Sequence, residues 1–226
     1  MTTVSVVVHS RQGRGQALAE HIAAGAEDVD GTDVHLLQLL PEQVTDGRWA
    51  DARIKARLAE SDAIIFGSTT YMGSLSWVFK AFMESAFDEW FVQGWKDKFA
   101  GGFTNSASQS GDKLMSLQQL AVFAAQMNMF WIPVGDPPGN NWSGGSRDDV
   151  NRLGSWLGVM SQSNVDQGAE LAGSHGDMVT ARRYGARVAR VTARWVHGRA
   201  YQTERITETE LRELNNRVTT EAATTH

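Results

Sequence analysis

The segment that most restricts the possible folds is Asp62-Ala63-Ile64-Ile65-Phe66-Gly67, which contains four consecutive apolar residues. A strand with one face in water alternates apolar and polar residues, whereas a strand that is buried on both faces is apolar throughout. Strands of the second kind belong to parallel sheets that helices cover on both sides. The segment therefore predicts a buried strand of an α/β domain.

The rest of the chain alternates between strand and helix patterns, which predicts an open parallel sheet with helices on both faces. We predict an irregular insertion rich in Gly, Asn and Ser at 136–163 and a capping box of Ser174 and Asp177 before the last helix. Residues 199–226 form a polar extension in which a short helix is expected to start at Thr207. The predicted strands are 1–10, 32–40, 62–67, 99–103 and 129–134, and the predicted helices are 16–27, 50–60, 75–87, 114–127 and 177–197.

Composition excludes several classes of function. The net charge is −5, from 21 basic and 26 acidic residues, so nucleic acid is an unfavourable partner. Because the chain has no cysteine, disulfides, cysteine nucleophiles and thiolate metal sites are excluded. The six histidines show no metal-binding spacing, and no metal is expected. Without an apolar run of roughly 20 residues, neither a membrane span nor a signal peptide is expected, and the predicted location is cytoplasmic.

Three predicted strands end in loops of small and polar residues: the first loop (10–15), the second loop (68–74) and the third loop (104–111). In open α/β sheets, ligands bind beyond the carboxyl ends of the strands. The first loop opens into a helix, whose N-terminus suits a phosphate. An ordinary turn remains an alternative. So does a dinucleotide fingerprint, Gly13-x-Gly15-x-x-Leu18, although Leu18 replaces its third small residue and no acidic residue ends the second strand.

Together the three loops resemble those of the flavodoxin-like flavoproteins, above all the WrbA-type NAD(P)H:quinone oxidoreductases and NADPH-dependent FMN reductases. Ser10-x-x-Gly13 before a helix is similar to their phosphate loop, 67–76 to their second flavin loop and 98–111 to their fourth strand and third flavin loop. Weaker sequence similarities to the family pattern extend the resemblance to about residue 197. The chain departs from the family pattern at Thr69, where relatives have Pro, and at Gln126 and Met127, where they have histidines.

The resemblance implies a flavodoxin-like three-layer fold over residues 1–198, with a five-stranded parallel sheet in the order 2-1-3-4-5. It also implies non-covalent FMN, with the phosphate on the first loop and the isoalloxazine ring between the second and third loops. The cofactor-binding residues implied in this way are Ser10, Arg11, Gln12, Gly13, Arg14, Gly15, Thr69, Thr70, Tyr71, Met72, Gly73, Ser74, Asn105, Ser106, Ala107, Ser108 and Gly111.

The activity implied by the resemblance is FMN-dependent NAD(P)H:quinone oxidoreduction, by hydride transfer through FMN N5 in two ping-pong half-reactions. The flavin carries out the chemistry, so no protein side chain is assigned a catalytic role. Trp90, Met127 and Trp142 are the predicted substrate-binding residues. A homodimer or homotetramer is expected, because relatives associate.

Two other functions remain open at this stage. The first is a flavodoxin-type electron carrier, although carriers tend to be shorter and strongly acidic so that they are steered to basic partners. The length of this chain, its mild net charge and the insertion at 136–163 favour the enzyme. The second is a flavin-free interaction protein of the same fold, which the altered second loop keeps possible.

Overall fold

The computed structural model describes residues 1–198, which form a parallel sheet covered by helices on both faces. A small two-stranded hairpin and two single 3-10 turns, Pro41–Gln43 and Ala169–Leu171, lie outside the main sheet. The strands are β1 (Thr2–His9), β2 (Thr32–Gln38), β3 (Val44–Thr45), β4 (Arg48–Trp49), β5 (Ala63–Thr69), β6 (Phe99–Ser106), β7 (Phe130–Trp131) and β8 (Val159–Gln162), and the helices are α1 (Arg14–Glu27), α2 (Ala52–Glu60), α3 (Trp77–Glu84), α4 (Phe87–Phe91), α5 (Lys113–Gln126) and α6 (His175–Gly198).

The main sheet has the order β2-β1-β5-β6-β7, and β8 also pairs with β6. All its pairs are parallel, so the predicted flavodoxin-like α/β fold is confirmed. Every residue of β5 is buried, as its continuous apolar sequence predicts. The hairpin of β3 and β4 is an addition that the sequence patterns did not predict.

Successive side chains of the central strands enter two different cores. Ile64 and Phe66 pack with α2, α3 and α5 on one face, whereas Ile65 and Phe103 pack with α1 and α6 on the other. On the second face, α1 and α6 approach closely because Gly185 has no side chain; a Cβ atom there would overlap the carbonyl oxygen of Ile22. Each helix layer is thus held to the sheet by its own apolar cluster.

The fifth position of the sheet differs from the prediction. The expected strand 129–134 is reduced to β7, because Pro133 has no N–H to donate to a ladder and the chain leaves the sheet there. The expected irregular insertion contains β8 at its end, and this strand pairs with the carboxyl half of β6, from Phe103 to Ser106. Two short strands therefore share one edge of β6.

One predicted helix also deviates from its bounds. The predicted helix 75–87 is divided into α3 and α4, because the chain turns at Ser85 and Ala86.

The capping box before α6 is confirmed: Asp177 N donates to Ser174 Oγ (3.2 Å) and Ser174 N donates to Asp177 Oδ2 (3.3 Å). The polar extension and the helix expected at Thr207 lie outside the described residues. Within residues 1–198, no helix combines the length and apolar character that crossing a bilayer requires.

Candidate functional site

The three loops meet at the carboxyl edge of the sheet, as their strand order requires. Gly15 lies between the first and second loops: a Cβ atom there would be 3.2 Å from both Ser10 Oγ and Thr69 Oγ1. Thr70 N of the second loop donates to the carbonyl of Asn105 in the third (2.9 Å). The structure therefore brings together the loops that the sequence analysis singled out.

The first loop is a tight turn that leads directly into α1. Gly15 N donates to Ser10 Oγ (2.9 Å), and Gly13 adopts a left-handed conformation with φ of 76°. Arg11 and Gln12 are exposed at the tip. Arg14 is engaged elsewhere, because its guanidinium donates to the carbonyls of Val165 (2.9 Å) and Gln167 (2.7 Å). Of the two arginines, Arg11 is therefore the one that is free to meet a phosphate.

The second loop is a two-residue hairpin turn. Tyr71 N and Ser74 N donate to each other's carbonyl groups (2.9 and 3.0 Å), while Met72 and Gly73 both have positive φ, 49° and 75°. Two adjacent left-handed residues are typical of a type I′ turn. The Met72 side chain is fully exposed at the tip, so the turn presents backbone and an apolar side chain to whatever binds beside it.

Beneath this turn, Thr70 belongs to a buried polar cluster rather than to the rim of the site. Its hydroxyl lies 2.8 Å from both Thr104 Oγ1 and Ser116 Oγ, and Thr104 Oγ1 donates to the carbonyl of Ser68 (2.6 Å). The cluster joins β5, β6 and α5. We infer that the Thr70 side chain positions the second loop, and that neither this side chain nor the Thr70 N–H, which is bonded to Asn105, is available to a ligand.

The third loop begins where β6 ends and is supported from two sides. Lys113 Nζ donates to Ser106 Oγ (2.9 Å), the Ser108 carbonyl (2.8 Å) and the Gln109 carbonyl (2.9 Å). Gln162, the last residue of β8, donates through Nε2 to the Ala107 carbonyl (2.9 Å). These four bonds fix the loop backbone, which returns to α5 through Gly111 at φ 55°.

Asn105, a predicted ligand of the cofactor, is used by the scaffold. Its Nδ2 donates to Ser161 Oγ (2.7 Å) and to Ser163 Oγ (2.8 Å), so both amide hydrogens are engaged, and the side chain is buried. These bonds attach β8 and the residue after it to β6. The Asn105 side chain therefore belongs to the support of the site.

A buried ion pair anchors the insertion next to the third loop. Arg152 and Asp177 form two hydrogen bonds of 2.8 Å, and their side chains are only 5% and 2% exposed. The carboxylate also accepts from Gln162 N (3.2 Å), and Arg152 Nε donates to Ser174 Oγ (2.9 Å). The pair thus connects the insertion, the end of β8 and the start of α6.

Burial changes the protonation of two groups near the loops. Desolvation lowers the pKa of Lys113 to about 8, with opposing smaller effects from Asp177 and Arg152. Desolvation also lowers the pKa of His9, the last residue of β1, which favours its neutral form. His9 Nδ1 is buried and has no partner among the described residues.

The loops fit a flavin mononucleotide by their chemistry. Two further polar atoms next to the site, Thr69 Oγ1 and Tyr71 Oη, are buried without a hydrogen-bond partner in the described chain. Such groups are costly unless they are paired, so they indicate a polar ligand. Small side chains and left-handed turns in all three loops leave backbone N–H groups accessible, which suits a phosphate and the polar edge of a planar ring. The first loop would hold the phosphate, and the second and third loops would hold the ring.

The predicted substrate-binding residues are not gathered at this site. Trp90 lies on α4, is about half exposed and packs against Phe87, with ring centroids 5.5 Å apart. Met127 is 3% exposed and lies in the core cluster on the α5 face of the sheet, where it fills apolar space. Trp142 lies in the insertion and is exposed, folded back over Gly144. None of the three has a described contact with the loops, and their role in substrate binding stays a prediction.

Sequence reasoning missed the residues that support the loops, namely Lys113, Gln162 and the Arg152–Asp177 pair. One signal was available for Lys113. It is the first residue of α5, and a cation at a helix N-terminus opposes the helix dipole. A lysine in that position indicates a compensating environment. Nothing in the local sequence of Gln162 indicates its contact.

Comparison with known proteins agrees with this geometry. Residues 3–142 match the family described as NADPH-dependent FMN reductase. The chain is 38% identical over 192 residues to "Flavodoxin FldP" of Pseudomonas aeruginosa, covering 84% of this chain and 97% of that protein. It is 28% identical over 207 residues to a "NAD(P)H dehydrogenase (quinone)" of Trichlorobacter lovleyi, covering 86% and 98%.

Among solved structures, the fold is similar to that of a flavodoxin, WrbA-like protein from Agrobacterium tumefaciens, with a TM-score of 0.65 and 36% identity. The match covers 86% of this chain and 99% of that one. The resemblance inferred from the three loops is thereby confirmed over most of the described residues. The chain belongs to the NADPH-dependent FMN reductase family, flavodoxin-like oxidoreductases that use FMN as cofactor and NAD(P)H as electron donor.

Proposed function

We propose that the chain is an FMN-dependent NAD(P)H:quinone oxidoreductase, with residues 1–198 as its flavin-binding domain. The observation that carries the proposal is the set of three adjoining loops, each with a left-handed turn and short side chains. Gly13, Met72, Gly73 and Gly111 all have positive φ, which supports access to the loop backbone. When bound, FMN would supply two-electron chemistry between NAD(P)H and a quinone, with the second proton of the hydroquinone coming from solvent; the first loop would hold its phosphate and the second and third loops its ring.

The protein's own residues would bind and orient the FMN. We expect backbone N–H groups at the start of α1, the Ser10 hydroxyl and the Arg11 guanidinium to bind the phosphate, and the turn at Met72 and Gly73 to border the ring. No ionisable side chain is required to transfer a proton. Quinone as the acceptor is supported by the quinone-reducing relative, which this chain matches over nearly its full length.

The test is steady-state oxidation of NADH and of NADPH with a soluble benzoquinone as acceptor. If donor and quinone occupy the same slot in turn, double-reciprocal plots are parallel. Trp90→Ala should raise the KM for quinone and leave FMN bound, whereas Phe130→Ala, at an exposed aromatic on β7, should change neither. Intersecting lines would rule out the shared slot, and absence of turnover with flavin bound would rule out the enzyme.

An electron carrier is the second candidate, because the relative that is 38% identical to this chain is named a flavodoxin. A carrier would exchange single electrons with a reductase and would not accept hydride from either nicotinamide. The same preparation decides between the two functions. Anaerobic mixing with NADH and, separately, with NADPH is followed at the flavin absorption band: at least one of them bleaches the enzyme within its turnover time, and neither changes the carrier.

We also propose that the chain self-associates through an aromatic surface on and after α4. Four large apolar side chains are exposed there, between 46% and 61%: Phe87, Trp90, Phe91 and Val92. Phe87 stacks on Phe91, so the surface is contiguous. Contiguous exposed apolar surface of this kind is typical of interaction sites. A homodimer or homotetramer would cover it.

A further inference from the structure

Lys113 supports the third loop from inside the protein. Its side chain is 1% exposed, and all three ammonium hydrogens are used by oxygens of Ser106, Ser108 and Gln109. Two of these acceptors are backbone carbonyls and one is a hydroxyl. The ammonium is therefore fully hydrogen-bonded, but its hydrogen-bond partners carry no negative charge.

The charge of Lys113 is also not neutralised by its surroundings. No carboxylate lies within ion-pair distance of Nζ in the described chain. Two charged groups, Asp177 and Arg152, influence its pKa; they pair with each other and act on Lys113 in opposite directions. Because that pair is neutral as a unit, one positive charge remains uncompensated beneath the loop.

The position is unfavourable for a cation in two ways. Removing an ammonium from water is costly, and Lys113 begins α5, where the helix dipole also repels positive charge. Both costs would be relieved by a negative group on the other side of the loop. The proposed function places the flavin ring there, and a flavin ring gains negative charge when it is reduced.

We propose that Lys113 is a positioning residue with an electrostatic role: it holds the third loop and makes the site bind reduced FMN more tightly than oxidised FMN. The inference rests on the proposed function. By thermodynamic linkage, tighter binding of the reduced form raises the flavin midpoint potential by about 30 mV for each tenfold difference in affinity of a two-electron couple. The site would thus make the bound flavin a better acceptor of electrons from NAD(P)H.

The experiment measures the FMN dissociation constant by fluorescence titration and the two-electron potential by anaerobic dye equilibration, for the whole chain. Lys113→Gln retains donors for the loop carbonyls but removes the charge, and Lys113→Arg retains the charge. Lys80→Gln is the matched control, because Lys80 is an exposed lysine on α3 whose loss changes the net charge equally. If Lys113→Gln fails to fold, Lys113→Met is measured in its place, with folding checked by circular dichroism.

We expect Lys113→Gln to weaken the binding of reduced FMN at least roughly tenfold more than the binding of oxidised FMN. The midpoint potential of the bound flavin should then fall by about 30 mV or more. Lys113→Arg and Lys80→Gln should keep the wild-type potential. An equal loss of affinity for both forms would show that Lys113 acts only on loop geometry and would overturn the electrostatic role. If the wild type binds no FMN, the proposed function fails instead, so the two failures are distinguishable.

Discussion

At the scale of single residues, the site depends on a few backbone conformations that ordinary side chains adopt with difficulty. Gly13 is the clearest case. Its φ of 76° is left-handed, and a Cβ atom there would lie 2.9 Å from the Cβ of Ala169, closer than real side chains approach. Any larger residue must therefore displace either the first loop or the segment that lies over it.

We predict that Gly13→Val weakens FMN binding by at least roughly tenfold, because the turn that presents its backbone to the phosphate cannot form without strain. Gly31→Val is the matched control: Gly31 has the same φ of 77° but no neighbour within 4 Å of its Cβ position, and it lies before β2 at the other edge of the sheet. Fluorescence titration with FMN measures both. Equal affinities would exclude Gly13 from the binding site.

A second prediction at this scale concerns pH. The folded-state pKa of Lys113, about 8, lies below its ordinary value, so between these values the unfolded chain holds more protons than the folded one. Stability should therefore rise with pH in this window, relative to Lys113→Met. Burial raises the pKa of Tyr184, which acts in the opposite sense but cancels in the comparison. Urea unfolding of both proteins at pH 7.5, 8.5 and 9.5 measures the difference, and a constant difference would contradict it.

At the scale of elements, the structure separates what the sequence could predict from what it could not. The apolar run Ile64-Ile65-Phe66 identifies β5 by itself, because a strand that is buried on both faces has apolar side chains at consecutive positions. β8 has no continuous apolar run. Its four residues become a strand only because β6 offers an unpaired edge where β7 stops. Lys113 is missed because a lysine is usually exposed, and the nearby carbonyls of Ser108 and Gln109 turn toward it only when the third loop is folded.

The Arg152–Asp177 pair is the connection between elements on which we expect the third loop to depend. Arg152→Leu leaves a buried carboxylate without its partner, and breaking a buried pair in this way costs about 3–5 kcal/mol. Arg57→Leu, which removes an exposed pair with Glu60, should cost at most about 1 kcal/mol. Thermal or urea unfolding tests the contrast. Similar losses in the two variants would mean that the buried pair is not a structural anchor.

At the scale of the whole molecule, the aromatic surface of α4 has no described contact with the three loops, so we expect its disturbance to leave FMN bound. We predict that Phe91→Ser, at the 57% exposed centre of the surface, shifts the protein to a smaller species in light scattering coupled to size exclusion. Val165→Ser, an isolated exposed apolar residue, should not. A wild-type protein that is already monomeric would contradict the proposed self-association.

The shared edge of β6 has a consequence for solubility. A long, straight border strand offers unpaired N–H and C=O groups to other molecules and can seed aggregation. Here that border is broken into pieces of two and four residues, β7 and β8, with the insertion leaving and returning between them. No continuous template for intermolecular pairing is left on that side. The same departure of the chain that brings Gln162 to the third loop thus also interrupts the edge at which intermolecular pairing would start on this side of the sheet.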